Sequence, residues 1–281
     1  MIARYFIELS YDGTAYCGWQ VQPNGPSVQG ELQRALALLL RQDVSVTGAG
    51  RTDAGVHAAK MVAHFDLEAP LPAPPVGGRA AKPMTSSSQE DKQSSPSRGG
   101  LERGLVYRLN GILPHDISIH KIYPVADDMH ARFSATARTY YYYVHTRKSP
   151  FLRNYSWRLA KAPDFDAMNQ AAATLMDYED FTSFSKVNTD TKTNICHVAQ
   201  ARWVQLADFE WRFEITADRF LRNMVRAIVG TLMEVGRGQL TLDGFRQVIE
   251  QKDRCAAGDS VPARGLFLQE VEYGLSPRPP C

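Results

Sequence analysis

Hydrophobic and polar positions in the first 125 residues follow two different periods. Short runs typical of strands lie at residues 5–10, 44–47, 61–67 and 117–123. Apolar side chains from Val28 to Leu40 recur at helical spacing and predict a helix with Ser27 as its N-cap. A second helix is expected over residues 101–112. The predicted order of elements is therefore β-α-β-β-α-β.

The chain from residue 126 to residue 274 repeats this theme. The predicted elements are a strand, a helix capped by Asp164, a hairpin, two helices and a last strand, at residues 139–145, 165–176, 197–205 with 209–216, 218–235, 241–251 and 266–273. Two similar α+β halves indicate a pseudo-duplicated fold, with an N-terminal half over residues 1–125 and a C-terminal half over residues 126–274. Periodicity predicts the elements but not the order in which the strands pair.

Residues 67–104 interrupt the pattern. A proline-rich run at 69–75 is followed by a tract rich in Ser, Gly and Lys, and aromatic residues are missing from it. Such a segment buries too little apolar area to offset the entropy lost when it becomes ordered. We therefore expect a disordered surface insert here, and a flexible tail over residues 275–281.

Composition and targeting signals narrow the class of protein. The 281-residue chain is 44% hydrophobic, which is ordinary for a globular protein with a sizeable core. No run of 18 apolar residues predicts a membrane helix, and the N-terminus does not resemble a signal peptide, so the cytoplasm is the expected location. The four cysteines form no CxxC pair, so we expect reduced thiols and no metal site.

The distribution of charge is more informative than the net charge of +2. Residues 129–163 contain no Asp or Glu, but they hold seven Arg and Lys residues, a run of four tyrosines (Tyr140 to Tyr143) and Trp157. Cations for phosphates beside aromatic rings for bases are typical of a nucleic-acid-binding face. The alternative interpretation is a solvated basic loop beside an aromatic strand.

The most informative segment is GAGRTDAGVHA at residues 48–58, where three glycines surround one carboxylate, Asp53. Glycine permits a tight turn and the close approach of a ligand. A neighbouring cation such as Arg51 favours the charged form of a carboxylate. The segment therefore indicates a rigid turn that presents one acid, although a hairpin whose aspartate bonds its own backbone would have the same composition.

This segment resembles the active-site signature of the TruA family of tRNA pseudouridine synthases. Other blocks resemble the family in the same order, at residues 11–20 (YDGTAYCGWQ), 130–140 (HARFSATARTY), 180–184 (DFTSF), 220–226 (FLRNMVR) and 262–268 (PARGLFL). Several blocks in order are far more specific than one motif. The resemblance spans nearly the whole chain apart from residues 67–104, where the family usually has a short connection. It implies two ferredoxin-like or RRM-like halves, with mixed, mostly antiparallel sheets around a central RNA-binding cleft.

The resemblance also implies the chemistry. Isomerisation of uridine to pseudouridine detaches the base from C1′ and rejoins it through C5, so it needs no cofactor. Asp53 corresponds to the catalytic aspartate, either as a nucleophile at C1′ or as a base at C2′. Among the substrate-binding residues, Tyr140 would stack on the flipped base, Arg226 would pair with Asp53, and Arg51 would help to expel or replace the base. His57 is expected to brace the turn.

Helical geometry gives separate support for a polar face near Arg226. In a helix over residues 218–235, Arg219, Arg222 and Arg226 would lie within about 60° of one another, at about 100° per residue. Apolar residues would occupy the opposite side. We therefore expect these arginines to face the cleft or the solvent.

The substrate implied by the resemblance is tRNA, at uridines 38, 39 and 40 of the anticodon stem-loop, and the implied assembly is a homodimer. Three alternatives stay open at this point. They are a pseudouridine synthase for another RNA site, a catalytically silent RNA-binding module on the same scaffold, and a carboxylate-dependent glycosidase acting on nucleosides. A glycosidase would usually need a second carboxylate.

Overall fold

The computed structural model describes residues 2–23, 25–68, 99–186 and 193–274. Most of the predicted insert, residues 69–98, and the predicted tail lie outside these residues. The helices are α1 Val28–Leu40, α2 Gly99–Ile112, α3 Phe165–Thr174, α4 Met224–Gly236 and α5 Leu242–Glu250. The strands are β1 Ala3–Tyr11, β2 Val46–Gly48, β3 His57–Leu67, β4 Ile117–Pro124, β5 Ala135–His145, β6 Trp157–Arg158, β7 Val198–Ala207, β8 Glu210–Ala217 and β9 Leu266–Tyr273.

The nine strands form one mixed sheet with the central order β4-β1-β3-β9-β5-β8-β7. The short strands β2 and β6 pair with β3 and β5. All pairs are antiparallel except β3 with β9 and β5 with β6. The predicted α+β class and mostly antiparallel pairing are thus confirmed. The strands of both predicted halves join through β9, and the pseudo-duplication of the halves stays a prediction.

A side chain caps the start of three helices, and the caps of two of them, Ser27 and Asp164, were predicted from the sequence. The side chain of Ser27 accepts a hydrogen bond from Gly30 N at 3.2 Å, and that of Asp164 accepts one from Ala167 N at 2.9 Å. Thr241 caps α5 in the same way. These bonds satisfy backbone N–H groups that have no partner within the helix.

Two helices differ from the prediction. The helix α4 begins at Met224 instead of residue 218. Asp218 Oδ1 accepts hydrogen bonds from the N–H groups of His197 and Arg219, which fastens this segment to the start of β7. Asn223 then adopts a left-handed conformation with φ 67°, which no helix continues through. The helix α3 ends at Thr174, and Met176 is exposed rather than part of its apolar stripe.

The strand register shows that the helices share one face of the sheet. Tyr11, Ala58, Leu268, Tyr140 and Ile215 lie opposite one another across β1, β3, β9, β5 and β8. One apolar cluster packs around the first three of these residues with α1 and α2, and a second packs around Ile215 with α3, α4 and α5. The ring of Tyr140 packs against both clusters, so it marks the boundary between the two groups of helices.

In the described part of the chain, no helix is long and apolar enough to cross a membrane.

Candidate active site

The predicted catalytic loop connects β2 to β3. Val56 N donates a hydrogen bond to the carbonyl of Asp53 at 3.1 Å, and Gly55 has φ 75°. This tight turn uses the backbone of Asp53, not its side chain. Within the described residues, the Asp53 carboxylate makes its hydrogen bond to an arginine and none to the backbone of its own loop.

Residues 11–19 pack against the catalytic loop and form hydrogen bonds with Thr52. Trp19 N donates to Thr52 O at 3.2 Å, and Tyr11 Oη lies 2.8 Å from Thr52 Oγ1. Gly18 has φ 102°, and a Cβ atom there would lie 2.3 Å from Thr52 O. The glycine therefore allows the two backbones to meet. The sequence block at residues 11–20 thus positions Thr52, the residue next to Asp53, mainly through backbone contacts.

Two arginines face the Asp53 carboxylate. Arg226 Nη1 lies 3.5 Å from Asp53 Oδ2, and Arg222 Nε lies 3.9 Å from Oδ1. Arg226 is held in place because its Nε donates to Val261 O at 2.8 Å, whereas the Arg222 side chain is 57% exposed. The Asp53 side chain is 26% exposed, so the carboxylate is accessible to a ligand.

The predicted arginine face needs a correction. Arg226 lies in the first turn of α4, but Arg219 and Arg222 precede that helix. Helical spacing therefore does not align them. Arg222 nevertheless reaches Asp53 from the turn that precedes α4, whereas no contact joins Arg219 to Asp53 among the described residues.

Tyr140 lies on β5 at the boundary of the two clusters and is half-buried. Its ring makes an edge-to-face contact with Phe220 at 5.0 Å. Burial raises the pKa of Tyr140 to about 12, and the Asp53 charge adds to this shift while Arg138 opposes it. Within the described residues its hydroxyl has no hydrogen-bond partner, so a neutral phenol is available to a ligand.

The other three tyrosines of β5 make contacts with side chains or backbone of the protein itself. Tyr142 is fully buried, and its hydroxyl donates to Pro262 O at 2.9 Å. Tyr141 and Tyr143 lie on the opposite face of the sheet, because side chains alternate along a strand. There the centroid of the Tyr141 ring lies 4.1 Å from the guanidinium carbon of Arg212. The expectation that these three residues serve strand packing and a wet sheet face agrees with their positions.

Arg51 precedes Asp53 by two residues and is exposed. In the part of the chain that the structure describes, its guanidinium forms no hydrogen bond or ion pair. It is therefore free to meet a ligand, as a residue that replaces a flipped base would have to be.

His57 lies on the opposite face of the sheet from Asp53. The imidazole is 1% exposed and stacks on Phe267 at 4.5 Å. Gly13 N donates to its Nδ1 at 3.1 Å, and its Nε2 lies 3.0 Å from Asn154 O. Burial lowers the pKa of His57, although the Asp12 carboxylate opposes this shift. These contacts on both ring nitrogens support the bracing role expected from the sequence.

Arg138 has a structural role that the number of basic residues in its segment does not predict. Arg138 belongs to the cationic stretch predicted to face nucleic acid, but its guanidinium points inward. It donates to the carbonyls of Ala49, Arg132, Ala135 and Asp218. One side chain therefore connects the catalytic loop to two other backbone segments, residues 132–135 and Asp218. Five N–H donors on a planar group make arginine suited to this task.

The described residues contain no group of three His, Cys, Asp or Glu side chains arranged to hold a metal ion. Asp53 offers a carboxylate that faces two guanidinium groups, and its charge acts on the neutral phenol of Tyr140. Such a carboxylate can act as a nucleophile or as a base.

A family model described as tRNA pseudouridine synthase matches residues 171–274. This match covers α4, β9 and the arginines that approach Asp53. Together with the mostly antiparallel α+β fold, it defines the class of the protein as a pseudouridine synthase, which is an isomerase.

Curated relatives extend the match to the rest of the chain. A protein of Bacteroides thetaiotaomicron named tRNA pseudouridine synthase A is 55% identical over 272 residues, which is 96% of this chain and 90% of the relative. Its namesake in Bacillus subtilis is 37% identical over 274 residues, with 96% of this chain and 99% of the relative covered. The chain therefore belongs to the TruA family of tRNA pseudouridine synthases.

Proposed function

We propose that this enzyme converts uridine to pseudouridine at positions 38, 39 and 40 of the tRNA anticodon stem-loop, with Asp53 as its single catalytic carboxylate. One observation carries the proposal. Asp53 and Arg226, from a loop and a helix far apart in the sequence, lie 3.5 Å apart, and the Asp53 charge acts on the hydroxyl of Tyr140 on β5. Full-length similarity to proteins named tRNA pseudouridine synthase A supports tRNA as the substrate.

The reaction requires balanced bond changes at the ribose and the base. The bond from N1 to C1′ breaks, the uracil rotates, and a bond from C5 to C1′ forms. C5 loses its proton, and N1 gains one. Asp53 either attacks C1′ as a nucleophile or removes the C2′ proton and later returns it. Both routes use one carboxylate and lead to the same product.

The surrounding residues have separate roles in this proposal. The guanidinium of Arg226, held by Val261 O, fixes the carboxylate for attack. Tyr140 stacks on the everted base, and its neutral hydroxyl assists proton movement. The exposed Arg51 fills the space that the base leaves. Eversion costs a few kcal/mol, which contacts to the RNA backbone must offset.

A tritium-release assay tests the chemistry. The full chain is incubated with tRNA that carries uridine labelled with tritium at C5, because isomerisation must expel that hydrogen. We expect stoichiometric release by the wild-type protein. Asp53→Asn should fold and bind tRNA normally but release no tritium, since it keeps the size of the side chain and removes its charge.

Other results would favour the alternatives. Binding of tRNA without tritium release by the wild-type protein would indicate a silent RNA-binding module. Free uracil among the products would indicate a glycosidase. An active Asp53→Asn variant would contradict the role of the carboxylate.

The positions modified are tested in cells. Pseudouridine is mapped across all RNA in a strain that lacks the gene and in the same strain after its return. We expect loss and recovery at positions 38–40 of several tRNAs. Changes confined to sites outside the anticodon arm would contradict the proposed specificity.

The proposal includes a cytoplasmic homodimer whose subunits both contact one tRNA. Sedimentation velocity over a range of concentrations tests the assembly, and a mass of one chain at micromolar concentration would exclude it. Fractionation of cells tests the location.

A further inference from the structure

Three arginines near the cleft have no anionic partner. Arg51 and Arg132 are exposed, and Arg219 is half-buried. Among the described residues, none of their guanidinium groups makes a hydrogen bond or an ion pair. Arg246 pairs with Asp243 at 3.2 Å, whereas Arg153 and Arg237 also have no ion pair among the described residues. What sets the three apart is their position near the Asp53 loop, where they add positive charge that no described carboxylate pairs with.

The backbone brings these arginines together through Arg138. Its Nη2 donates to the carbonyls of Ala49 and Arg132, and its Nη1 donates to Asp218 O at 2.6 Å. Arg51 follows Ala49 by two residues, and Arg219 follows Asp218 directly. Because the Arg138 guanidinium bonds to all three backbone segments, the Cα atoms of Arg51, Arg132 and Arg219 lie on segments that are held close together.

Their charges act on one another. Burial lowers the pKa of Arg132, and the charges of Arg51 and Arg219 lower it further. Like charges gathered without a counter-ion repel and reduce stability. A protein that retains such a group gains from it only when an anion binds. Guanidinium groups match phosphate oxygens particularly well.

We propose that Arg132 and Arg219, beside the charge of Arg51, form a phosphate-binding site for the RNA backbone next to the everted uridine, with Arg138 as its positioning residue. The proposal deepens the proposed function and rests on it. The ligand is a phosphodiester of a nucleic acid and not a small anion, because Phe133 lies beside Arg132 and is 77% exposed. An exposed ring next to the cations offers a stacking surface that only a base would use.

Equilibrium binding tests the site on the full chain, in an Asp53→Asn background that prevents turnover. The probe is an anticodon stem-loop RNA with uridine at position 39, titrated at several salt concentrations. Each of Arg132→Gln and Arg219→Gln should weaken binding and reduce the salt slope by about 1, as expected for one lost phosphate contact. Arg246→Gln is the matched control, because its guanidinium is already paired, and should leave the slope unchanged.

A second probe places the contact. Single uncharged methylphosphonate linkages replace the phosphates on either side of the target uridine, one at a time. At least one replacement should weaken binding by the Asp53→Asn protein about tenfold, but have little effect when Arg132→Gln and Arg219→Gln are also present. Equal losses in both proteins, or an unchanged salt slope, would overturn the proposal.

Folding and function are monitored separately. Neither glutamine variant should lower the melting temperature, because each relieves repulsion, so weak binding cannot result from unfolding. A fall of several degrees in both variants would count against an anion site. Tritium release by the wild-type protein reports on the proposed function, and the salt slope reports on the phosphate site, so each can fail without the other.

Discussion

Tyr140 and Tyr142 leave β5 on the same face but serve different purposes. The Tyr142 hydroxyl is bonded to Pro262 O in the core, whereas the Tyr140 hydroxyl is unbonded within the described residues. Tyr142→Phe should therefore cost about 1 kcal/mol of stability and leave kcat within about twofold. Tyr140→Phe should leave stability unchanged and lower kcat by about 10- to 100-fold.

Thermal unfolding and single-turnover tritium release check this pair. Each variant is the control for the other, since both remove one hydroxyl from the same strand. A Tyr140→Phe protein with normal kcat would limit Tyr140 to stacking. Loss of activity in Tyr142→Phe at full stability would instead show that the buried Tyr142 hydroxyl is the one needed for activity.

His64 gives the protein a pH-dependent stability. It is buried on β3, and its Nδ1 accepts a hydrogen bond from Ala131 N at 3.1 Å. Burial, together with the charges of His130 and Arg4, lowers the pKa of His64 to about 4. Between pH 6.5 and 4 the unfolded chain binds a proton that the folded chain does not, so the contribution is complete above pH 6.5 and is lost as pH falls towards 4.

The variant His64→Gln tests this effect, because its amide oxygen can still accept from Ala131 N but does not titrate. Urea unfolding at pH 7 and pH 4.5 should show a smaller difference in the free energy of unfolding for the variant, by about 2 kcal/mol. Titrating carboxylates elsewhere affect both proteins alike. An equal pH dependence in the two proteins would exclude His64 as the source.

At the level of single residues, motifs identify candidates but not the direction in which side chains point. Asp53, Tyr140 and Arg226 were selected because they lie in recognisable blocks, and they meet in space. Arg138 was counted with surface cations because composition gives charge and not orientation. Its inward position depends on the carbonyls of Ala49 and Asp218, which are distant in sequence and which no local pattern contains.

At the level of elements, the catalytic loop depends on backbone contacts at particular glycines. Gly18 has a positive φ, and an added Cβ would collide with Thr52 O, while a Cβ at Gly50 would meet no atom within 4 Å. Gly18→Ala should therefore destabilise the protein by more than about 2 kcal/mol and abolish activity, since the loop must shift. Gly50→Ala should retain the melting temperature of the wild type.

Differential scanning calorimetry and the tritium assay on both alanine variants measure these effects. Gly18 and Gly50 lie in two sequence blocks that meet at the catalytic loop. Comparing the two variants therefore distinguishes a steric requirement for glycine from mere proximity to Asp53. Normal stability in Gly18→Ala would show that the loop adapts and that its backbone position is not critical.

Element boundaries could be predicted where a capping residue marks them. Ser27 and Asp164 begin their helices as expected. The start of α4 was wrong because residues 218–223 keep helical spacing of apolar and basic positions. A side chain bonded to the backbone of residue 197 and a left-handed Asn223 interrupt the helix there, and both depend on tertiary neighbours.

At the level of the whole molecule, the order of strands could not be predicted, because periodicity is local and pairing joins distant segments. The last strand, β9, pairs with β3 of the N-terminal half and β5 of the C-terminal half. Leu268 and Val271 of β9 pack in the first apolar cluster, while Val56 from the N-terminal half packs in the second. Each cluster thus contains residues from the other half.

This exchange of core residues predicts that the two clusters unfold together. Leu268 is 1% exposed, and Leu268→Ala should cost about 2–5 kcal/mol by leaving a cavity. If the sheet is one cooperative unit, this loss should lower the urea midpoints of β1 and β7 equally, as measured by hydrogen exchange on peptides from each strand.

Leu36→Ala, buried in α1 far from β9 in sequence, should also lower both midpoints. Two independent domains would instead give separate midpoints, with β7 unaffected by Leu36→Ala. Because Asp53 lies in the N-terminal half of the chain and Arg226 in the C-terminal half, one cooperative unit also keeps these two side chains together.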